Sequence, residues 1–322
     1  MTKLIITCDT GIDDALALIY AAAQDRAELL GVVAGFGVTS RKNAYRNSRH
    51  ILSLLGCRAG VFRGSRTPLR RPGRDYEGPA GASAFHGRDG LGDTLGPVVC
   101  EEAGTGENEG VDFILEQAGR YGRDLAIVTT GPLTDMARAL ERDGGLGDKV
   151  GAVVCMAGAL AAPGNVTEFA EANILLDCDA AKLVLESALP LTLVGLDVTR
   201  KTLLGQRDLA RWKGIDTQAA RLLHAAAGRY LDAYRARYPY LAGAALHDPL
   251  AVGALFHPEW FTRVPMHLTV VTEGAAEGRT CEDLRRCGDP RYTSFGALGV
   301  DAGAFEADFF ARVEGRLKGP SL

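Results

Sequence analysis

The residues that decide the fold class stand near the start of the chain, where residues 4–18 read LIITCDTGIDDALAL. The run Leu4 to Cys8 has the length and apolar composition of a buried β-strand, Gly11 permits a tight turn, and an apolar helical pattern follows. Comparable apolar runs alternate with helical patterns at Leu29 to Val33, Leu125 to Val128, Ala152 to Met156 and Leu191 to Val194. This alternation predicts an α/β fold with a mostly parallel, doubly wound sheet flanked by helices.

The length of 322 residues and a hydrophobic content of 47% suffice for one large core, so we expect a single catalytic domain over residues 1–322. Residues 64–106 are rich in Gly, Arg and Pro and have no regular period, which predicts a long loop excursion. The pattern from Thr217 to Tyr238 is helical and places Tyr230 and Tyr234 on one face.

Composition also excludes several classes of partner. The formal net charge is −4 and no block of Lys or Arg occurs, so we expect neither nucleic acid nor a membrane surface as partner. The seven cysteines show no CxxC or Cys/His spacing, which argues against a disulfide framework and a zinc site. No stretch reaches the roughly 18 apolar residues of a membrane span. We therefore expect a cytoplasmic protein that acts on a small molecule.

Three carboxylates, Asp9, Asp13 and Asp14, follow the first predicted strand. In open α/β sheets, ligands bind beyond the carboxyl ends of the strands. A single acid there could merely cap the following helix, but Asp9 lies at the end of the strand. Clustered carboxylates raise one another's pKa unless a cation neutralises them, and Ca²⁺ or Mg²⁺ prefers such oxygen ligands. The cluster therefore predicts a site for a hard divalent cation.

Two other readings of this cluster can be weighed on the residues. An EF-hand is excluded because Asp14 stands where the loop needs glycine and Tyr20 where it needs the bidentate glutamate. A phosphatase with an aspartate nucleophile also carries acids after its first strand and remains open. No glycine-rich loop with a lysine is present to hold a phosphate, which disfavours the phosphatase.

Further polar segments follow other strands or glycine-rich turns, namely His86 to Gly92, Thr129 to Thr134, Gly164-Asn165, Glu171-Ala172-Asn173 and His247-Asp248-Pro249. Each has a plain structural explanation, such as a turn at Gly131-Pro132 or a helix cap at Asp248. Together they deliver acids, amides and imidazoles to the edge where this fold has its cleft, which favours a functional site.

In their order these motifs resemble those of the inosine-uridine preferring nucleoside hydrolases. The family signature Asp-x-Asp-Pro-Gly-x-Asp-Asp corresponds to Thr7 to Asp14, and the His-Gly-x-Asp-Gly-Leu-Gly, Thr-Gly-Pro-Leu-Thr, Gly-Asn, Glu-x-Asn and His-Asp-Pro motifs follow as far as Asp248. The resemblance implies Ca²⁺-dependent hydrolysis of the N-glycosidic bond of a ribonucleoside to ribose and free base. It also implies a homodimer or homotetramer.

The resemblance further implies a role for each motif residue. The Ca²⁺ ligands would be Asp9, Asp14, the backbone carbonyl of Thr130 and Asp248. The ribose hydroxyls would be bound by Asp13, Asn165, Glu171 and Asn173. Asp9 would take the proton of the attacking water, and His247 would protonate the leaving base. The base itself would be contacted by His86, Tyr230 and Tyr234.

Five positions depart from the family pattern. Thr7 replaces an aspartate and Thr10 a proline, so we expect weaker hydrogen bonding around the metal and a slightly looser turn. Gly37 stands at the place of an asparagine, which removes an amide expected near the ribose. Asp135 replaces an asparagine, and Ala172, in place of phenylalanine, would enlarge the site near the sugar's 5′ end. A modified or bulkier nucleoside is therefore our hypothesis for the substrate.

The departures also keep a non-enzymatic alternative open. A calcium-dependent protein that binds a nucleoside or ribose without turnover is favoured by the loss of the amide at Gly37. Retention of Asp9 favours an enzyme, because a binding protein has little need of a base facing water. The sequence favours neither a purine nor a pyrimidine as the base.

Overall fold

The computed structural model describes residues 1–71, 73, 76–79, 81–95 and 109–319. Its strands in chain order are β1 (Thr2–Cys8), β2 (Ala27–Ala34), β3 (Gly60–Arg63), β4 (Leu125–Thr129), β5 (Ala152–Cys155), β6 (Leu191–Leu193), β7 (Leu203–Leu204), β8 (Ala244–Ala245), β9 (Phe261–Pro265), β10 (Leu268–Val270), β11 (Thr280–Glu282) and β12 (Ser294–Val300). Eight of them form the central sheet, in the order β3-β2-β1-β4-β5-β6-β12-β9. Neighbours are parallel except β12 and β9, which pair antiparallel.

The α-helices in chain order are α1 (Ile12–Ala22), α2 (Arg41–Leu54), α3 (Ala82–His86), α4 (Glu109–Tyr121), α5 (Thr134–Arg142), α6 (Leu146–Lys149), α7 (Ala172–Leu176), α8 (Cys178–Leu185), α9 (Leu196–Thr199), α10 (Gln206–Lys213), α11 (Gln218–Arg237), α12 (His247–Phe256) and α13 (Ala302–Leu317). Single turns of 3-10 helix cover Gly122–Asp124, Pro258–Trp260 and Leu284–Arg286. In the described part of the chain, no helix combines the length and apolar composition that crossing a bilayer requires.

Two hydrophobic cores lie on opposite faces of the sheet. Successive strand residues face opposite sides, so Leu4 and Ile6 of β1 enter one core and Ile5 enters the other. Helices α1, α2, α11, α12 and α13 cover the first face, and α4, α5 and α8 cover the second. The predicted doubly wound, mostly parallel sheet is confirmed, and each of the five apolar runs forms a strand of it.

The structure adds elements that the sequence patterns did not indicate. Strands β3, β9 and β12 were not predicted, because β3 is short and β12 contains Gly296 and Gly299, which interrupt its apolar pattern. The predicted excursion at 64–106 contains the short helix α3, whereas residues 96–108 lie outside the described residues. The predicted helix from Thr217 to Tyr238 is confirmed as α11.

The carboxylate of Asp177 joins three segments of the chain by hydrogen bonds. Its Oδ1 caps α8 by accepting the Ala180 N–H at 3.1 Å. Its Oδ2 accepts the Thr134 hydroxyl at 2.6 Å and the Leu69 N–H at 2.7 Å. The carboxylate is only 4% exposed, so these donors would have no solvent to replace it.

We expect Asp177→Ala to lower the free energy of unfolding by about 3 kcal/mol, since a helix cap is lost and two buried donors lose their acceptor. Urea denaturation measures the change. Asp179→Ala removes an exposed carboxylate from the same helix and should cost no more than about 0.5 kcal/mol. Equal losses in the two variants would show that Asp177 does not hold these segments together.

Candidate active site

A cleft of about 310 Å³ opens beyond the carboxyl ends of the parallel strands. Its wall includes Asp9, Thr130 and Met156, which follow β1, β4 and β5 respectively. The cleft wall brings together all the residues that the sequence predicted for the site, namely Asp9, Asp13, Asp14, His86, Thr130, Asn165, Glu171, Asn173, Tyr230, Tyr234, His247 and Asp248.

Three buried carboxylates, Asp13, Asp14 and Asp248, each place an oxygen within 4.8 Å of the others. Two helix N-termini position them, because Asp13 and Asp14 lie in the first turn of α1 and Asp248 in the first turn of α12. Burial raises the pKa of Asp13 to about 6, and burial with repulsion from Asp13 raises the pKa of Asp14 to about 7. Burial and the neighbouring acids raise the pKa of Asp248 well above its ordinary value.

Asp9 borders this group and is 1% exposed. Its Oδ2 accepts the Val38 N–H, whereas Oδ1 is buried and has no hydrogen-bond partner among the described residues. Burial and the charge of Asp14 raise the pKa of Asp9 well above its usual range. A buried carboxylate oxygen without a donor, beside three further acids and no imidazole or thiolate in the cluster, fits a hard cation that takes oxygen ligands.

The cluster overlaps with the predicted metal ligands. Asp14 and Asp248 belong to both sets, Asp13 was predicted to bind ribose, and the predicted ligands Asp9 and the Thr130 carbonyl lie outside the cluster. Asp14 is held by the Gly11 N–H at 2.7 Å and the Thr130 hydroxyl at 2.6 Å. The predicted carbonyl ligand of Thr130 also lines the cleft edge, where it accepts the Asn173 amide at 2.8 Å.

Two residues predicted to bind ribose have structural bonds as well. Glu171 is the N-cap of α7 and accepts the backbone N–H groups of Gly158 and Asn173 at 2.9 and 3.0 Å. Burial raises the pKa of Glu171 to about 7. Asn165 accepts the Ala172 N–H at 3.0 Å. Both side chains are therefore held rigidly at the cleft wall, which is what a positioned ligand contact requires.

A continuous line of hydrogen bonds links α9, α12, α11 and α1 beside the acidic cluster. The Thr199 hydroxyl lies 2.7 Å from Nδ1 of His247, and Nε2 of His247 lies 2.6 Å from the Tyr234 hydroxyl. The single O–H of Tyr230 can donate to Asp13 Oδ2 at 3.3 Å or to the Tyr234 oxygen at 3.5 Å. Burial lowers the pKa of His247 to about 3, so the ring is neutral near pH 7. Both of its nitrogens are engaged in these two hydrogen bonds. The expected contact of His247 with the base stays a prediction.

His86 is buried beside the acidic cluster. Its Nδ1 accepts the Ile12 N–H at 3.2 Å at the start of α1 and lies 3.9 Å from Asp13 Oδ1. Burial lowers its pKa to about 4, so the imidazole is neutral and its Nε2 carries the hydrogen. His86 thus satisfies a helix N-terminus as well as lining the cleft.

Comparison with known proteins gives this geometry a family. The family model described as inosine-uridine preferring nucleoside hydrolase matches residues 4–307. The chain belongs to this family. Its members are nucleoside hydrolases, so this protein is a hydrolase that acts on N-glycosyl bonds and cleaves ribonucleosides to ribose and base.

Individual relatives align over most of the hydrolase. It is 34% identical over 287 residues to a probable uridine nucleosidase 1 of Oryza sativa subsp. japonica, covering 87% of this chain and 85% of that protein. It is 30% identical to the pyrimidine-specific ribonucleoside hydrolase RihB of Escherichia coli, with 91% of each chain covered. A solved purine-preferring ribonucleoside hydrolase from Gardnerella vaginalis superposes with a TM-score of 0.94 at 37% identity, over 98% of this chain and 99% of that one.

The structure gives a different reason for the glycine at position 37 than the sequence comparison suggested. A Cβ atom at position 37 would lie 1.8 Å from Asp9 Oδ2, so no asparagine fits there while Asp9 keeps its place. The residue of this turn that lines the cleft is Val38. The amide expected near the ribose is therefore absent because the cleft-facing position carries an apolar side chain, and Gly37 itself makes room for Asp9.

Of the other departures described next, one lies in the cleft and two lie in the structure around it. Ala172 lines the cleft. Asp135 is buried and accepts both the N–H and the hydroxyl of Ser65 at 2.8 Å, so it ties the loop after β3 to α5. Thr10 hydrogen-bonds Ser48 of α2 at 2.6 Å, which offsets the loosening expected from the loss of proline.

Sequence reasoning missed three residues of the hydrolase that follow β6. Asp197 accepts the N–H groups of residues 160–162, and Arg200 donates to the carbonyls of residues 163 and 164. Thr199 contacts His247. The predicted strand Leu191 to Val194 ends just before them, so the rule that polar residues after a strand form the site would have found them.

We expect Gly37→Ala to lower the hydrolysis rate about 100-fold, because the new methyl group displaces Asp9, which is predicted to act as the general base, and general-base catalysis contributes about that factor or more. Steady-state kinetics on a ribonucleoside measure the loss. Gly119→Ala is the matched control, since nothing lies within 4 Å of the added carbon and α4 is already helical there. An unchanged rate in Gly37→Ala would show that the position of Asp9 is not critical.

Proposed function

We propose that this nucleoside hydrolase depends on Ca²⁺ and that Asp9 accepts the proton of the attacking water. The observation that carries the proposal is the buried Oδ1 of Asp9, which has no partner among the described residues although it borders the cleft. Its other oxygen is fixed by Val38. The side chain is therefore oriented, and its free oxygen has lone pairs to receive a proton.

Residues for the cation are proposed from the oxygen ligands at the cleft floor. Asp14 and Asp248 would hold it, with Asp9 and the Thr130 carbonyl as further ligands. Asp13 lies in the same cluster and would face either the cation or the ribose hydroxyls. When bound, such a cation lowers the pKa of a coordinated water and neutralises the acids around it.

The ribose would lie over this acidic floor. Hydrolysis at an N-glycosidic carbon proceeds through a transition state with oxocarbenium character, and a floor of carboxylates stabilises that positive charge. Asp13, Asn165, Glu171 and Asn173 surround the same volume and would bind the sugar hydroxyls. A site of buried polar groups that expects hydroxyls discriminates strongly against a sugar lacking them.

The nucleobase would leave along the aromatic wall. Phe85 packs edge-on against Tyr230 and Tyr234, with ring centroids 6.5 and 5.5 Å apart, and all three line the cleft. Because Nε2 of His247 is engaged by the Tyr234 hydroxyl, we propose that Tyr234 passes the proton to the base. His247 would position Tyr234 through this hydrogen bond. His86 offers a second neutral imidazole at this wall.

The substrate range stays a proposal. Val38 and Ala172 remove polarity and volume from the ribose side of the cleft, which supports a modified or bulkier nucleoside. The relatives are named for uridine, pyrimidine and purine substrates, so both classes of base belong in the assay.

The decisive assay follows sugar release from purine and pyrimidine ribonucleosides, their 2′-deoxy forms and 5′-substituted analogues. We expect ribonucleosides to be cleaved, and 2′-deoxy forms to react at least about 10⁴-fold more slowly because the buried polar groups lose their partner. Asp9→Asn should lower the rate about 100-fold or more.

Asp148→Asn, an exposed carboxylate of α6, is the control and should be as active as the wild type. Binding of ribosides without release of sugar would instead support the non-catalytic binding protein, which the family comparison does not favour. Equal cleavage of 5′-substituted and unmodified nucleosides would argue against the bulkier substrate.

We expect Ca²⁺ to raise the melting temperature. At a concentration about 100 times its Kd, binding adds about 2.7 kcal/mol to the free energy of unfolding, which corresponds to about 4 °C for a chain of this length. Differential scanning fluorimetry after chelation and re-addition measures the shift. Asp14→Asn should lose it and Asp148→Asn should keep it, whereas a shift with Mg²⁺ and none with Ca²⁺ would replace the proposed ion.

A homodimer or homotetramer and a cytoplasmic location also remain proposals. The family resemblance supports the assembly, and cysteine usage supports a reducing compartment. Analytical ultracentrifugation and localisation of the tagged full chain would test them.

A further inference from the structure

Helix α9, directly after β6, carries a hydroxyl that is enclosed completely. Thr199 is 0% exposed, and its Oγ1 lies 2.7 Å from Nδ1 of His247. This is the only hydrogen bond of the Thr199 hydroxyl among the described residues. A buried hydroxyl with a single polar neighbour determines which atom of that neighbour carries a hydrogen.

Donor and acceptor capacity fixes the direction of this bond. A neutral imidazole has one donor nitrogen and one acceptor nitrogen. If Nδ1 of His247 donated, the Thr199 O–H would remain in the core without an acceptor, which is unfavourable. If Thr199 donates to Nδ1, the ring hydrogen is on Nε2, which then donates to the Tyr234 oxygen 2.6 Å away.

This direction determines what Tyr234 offers to a ligand. Its oxygen accepts from Nε2 of His247. Its other hydroxyl neighbour is Tyr230, 3.5 Å away, whose single hydrogen is nearer to the Asp13 carboxylate, at 3.3 Å from Oδ2. Among the described residues the Tyr234 O–H then has no acceptor closer than 3.5 Å, and Tyr234 lines the cleft. The Tyr234 proton is therefore available to a leaving base. The opposite direction would commit it to His247.

We propose that Thr199 is a positioning residue that fixes the Nε2–H tautomer of His247 and thereby turns the Tyr234 hydroxyl proton towards the nucleobase. The inference rests on the proposed role of Tyr234 in protonating the leaving group. Thr199 touches neither the sugar nor the base and acts through two other side chains.

The test compares two leaving groups on the full-length protein with Ca²⁺ added. A ribonucleoside needs a proton on its base, whereas the nitrophenolate of 4-nitrophenyl β-D-ribofuranoside departs without one. Thr199→Val removes the hydroxyl at constant shape and should lower kcat on the ribonucleoside about 100-fold, with KM and the nitrophenyl substrate nearly unchanged. Thr199→Ser restores the hydroxyl and should restore the rate.

Tyr234→Phe should show the same selective loss, and the double variant should lose no more than either single one. Equal losses of Thr199→Val on both substrates would show a merely structural role and overturn the inference. If Tyr234→Phe lost activity on the ribonucleoside and Thr199→Val kept full activity, only the inference about Thr199 would be overturned, and the proposed role of Tyr234 would stand. A fully active Tyr234→Phe would overturn the proposed leaving-group role itself.

The tautomer can also be read in the wild-type protein, independently of whether any variant folds. Two-bond ¹⁵N–¹H spectra of ¹⁵N-histidine protein distinguish the ring tautomers, and the signal missing in His247→Gln assigns the residue. We expect the hydrogen on Nε2. A hydrogen on Nδ1 would overturn the proposal.

Discussion

Repulsion among four buried carboxylates is the constraint around which the catalytic edge of this enzyme is arranged. Asp9, Asp13, Asp14 and Asp248 are each at most 8% exposed, so water does not screen them. Two helix N-termini, whose dipoles favour negative charge, reduce this repulsion, and the backbone N–H groups of Gly11 and Val38 donate hydrogen bonds to Asp14 and Asp9. The remaining negative charge is what a cation and a cationic transition state can use.

Most of the architecture could be predicted from the sequence because the central strands are buried on both faces. Such strands appear as continuous apolar runs, which is why β1, β2, β4, β5 and β6 were found. The outer strands give a weaker signal. β9 at the antiparallel edge is mostly exposed, and β12 pairs with it through a register shift between Ala297 and Gly299, so neither carries a long apolar run.

The candidate site divides in the same way. Its members could be predicted because several polar motifs directly follow a strand or open a helix, as Asp9, Thr130 and Asp248 do, and the predicted residues all line the cleft. Their partners could not. The contact of Tyr234 with His247 joins α11 to α12, and the clash that excludes a side chain at Gly37, in the loop after β2, arises from Asp9, which follows β1. Spacing along one sequence does not encode contacts between distant segments, and the assignment of an amide to position 37 failed for that reason.

The position of Asp248 has a consequence for biosynthesis. A ribosome adds roughly 5–20 residues per second, so the three N-terminal acids emerge long before α12 exists to enclose them. Until then they are hydrated and ionised at little energetic penalty. The cluster of Asp13, Asp14 and Asp248 is thus completed only once α12 has been made, and a nascent chain released before α12 would carry the first strands without this cluster.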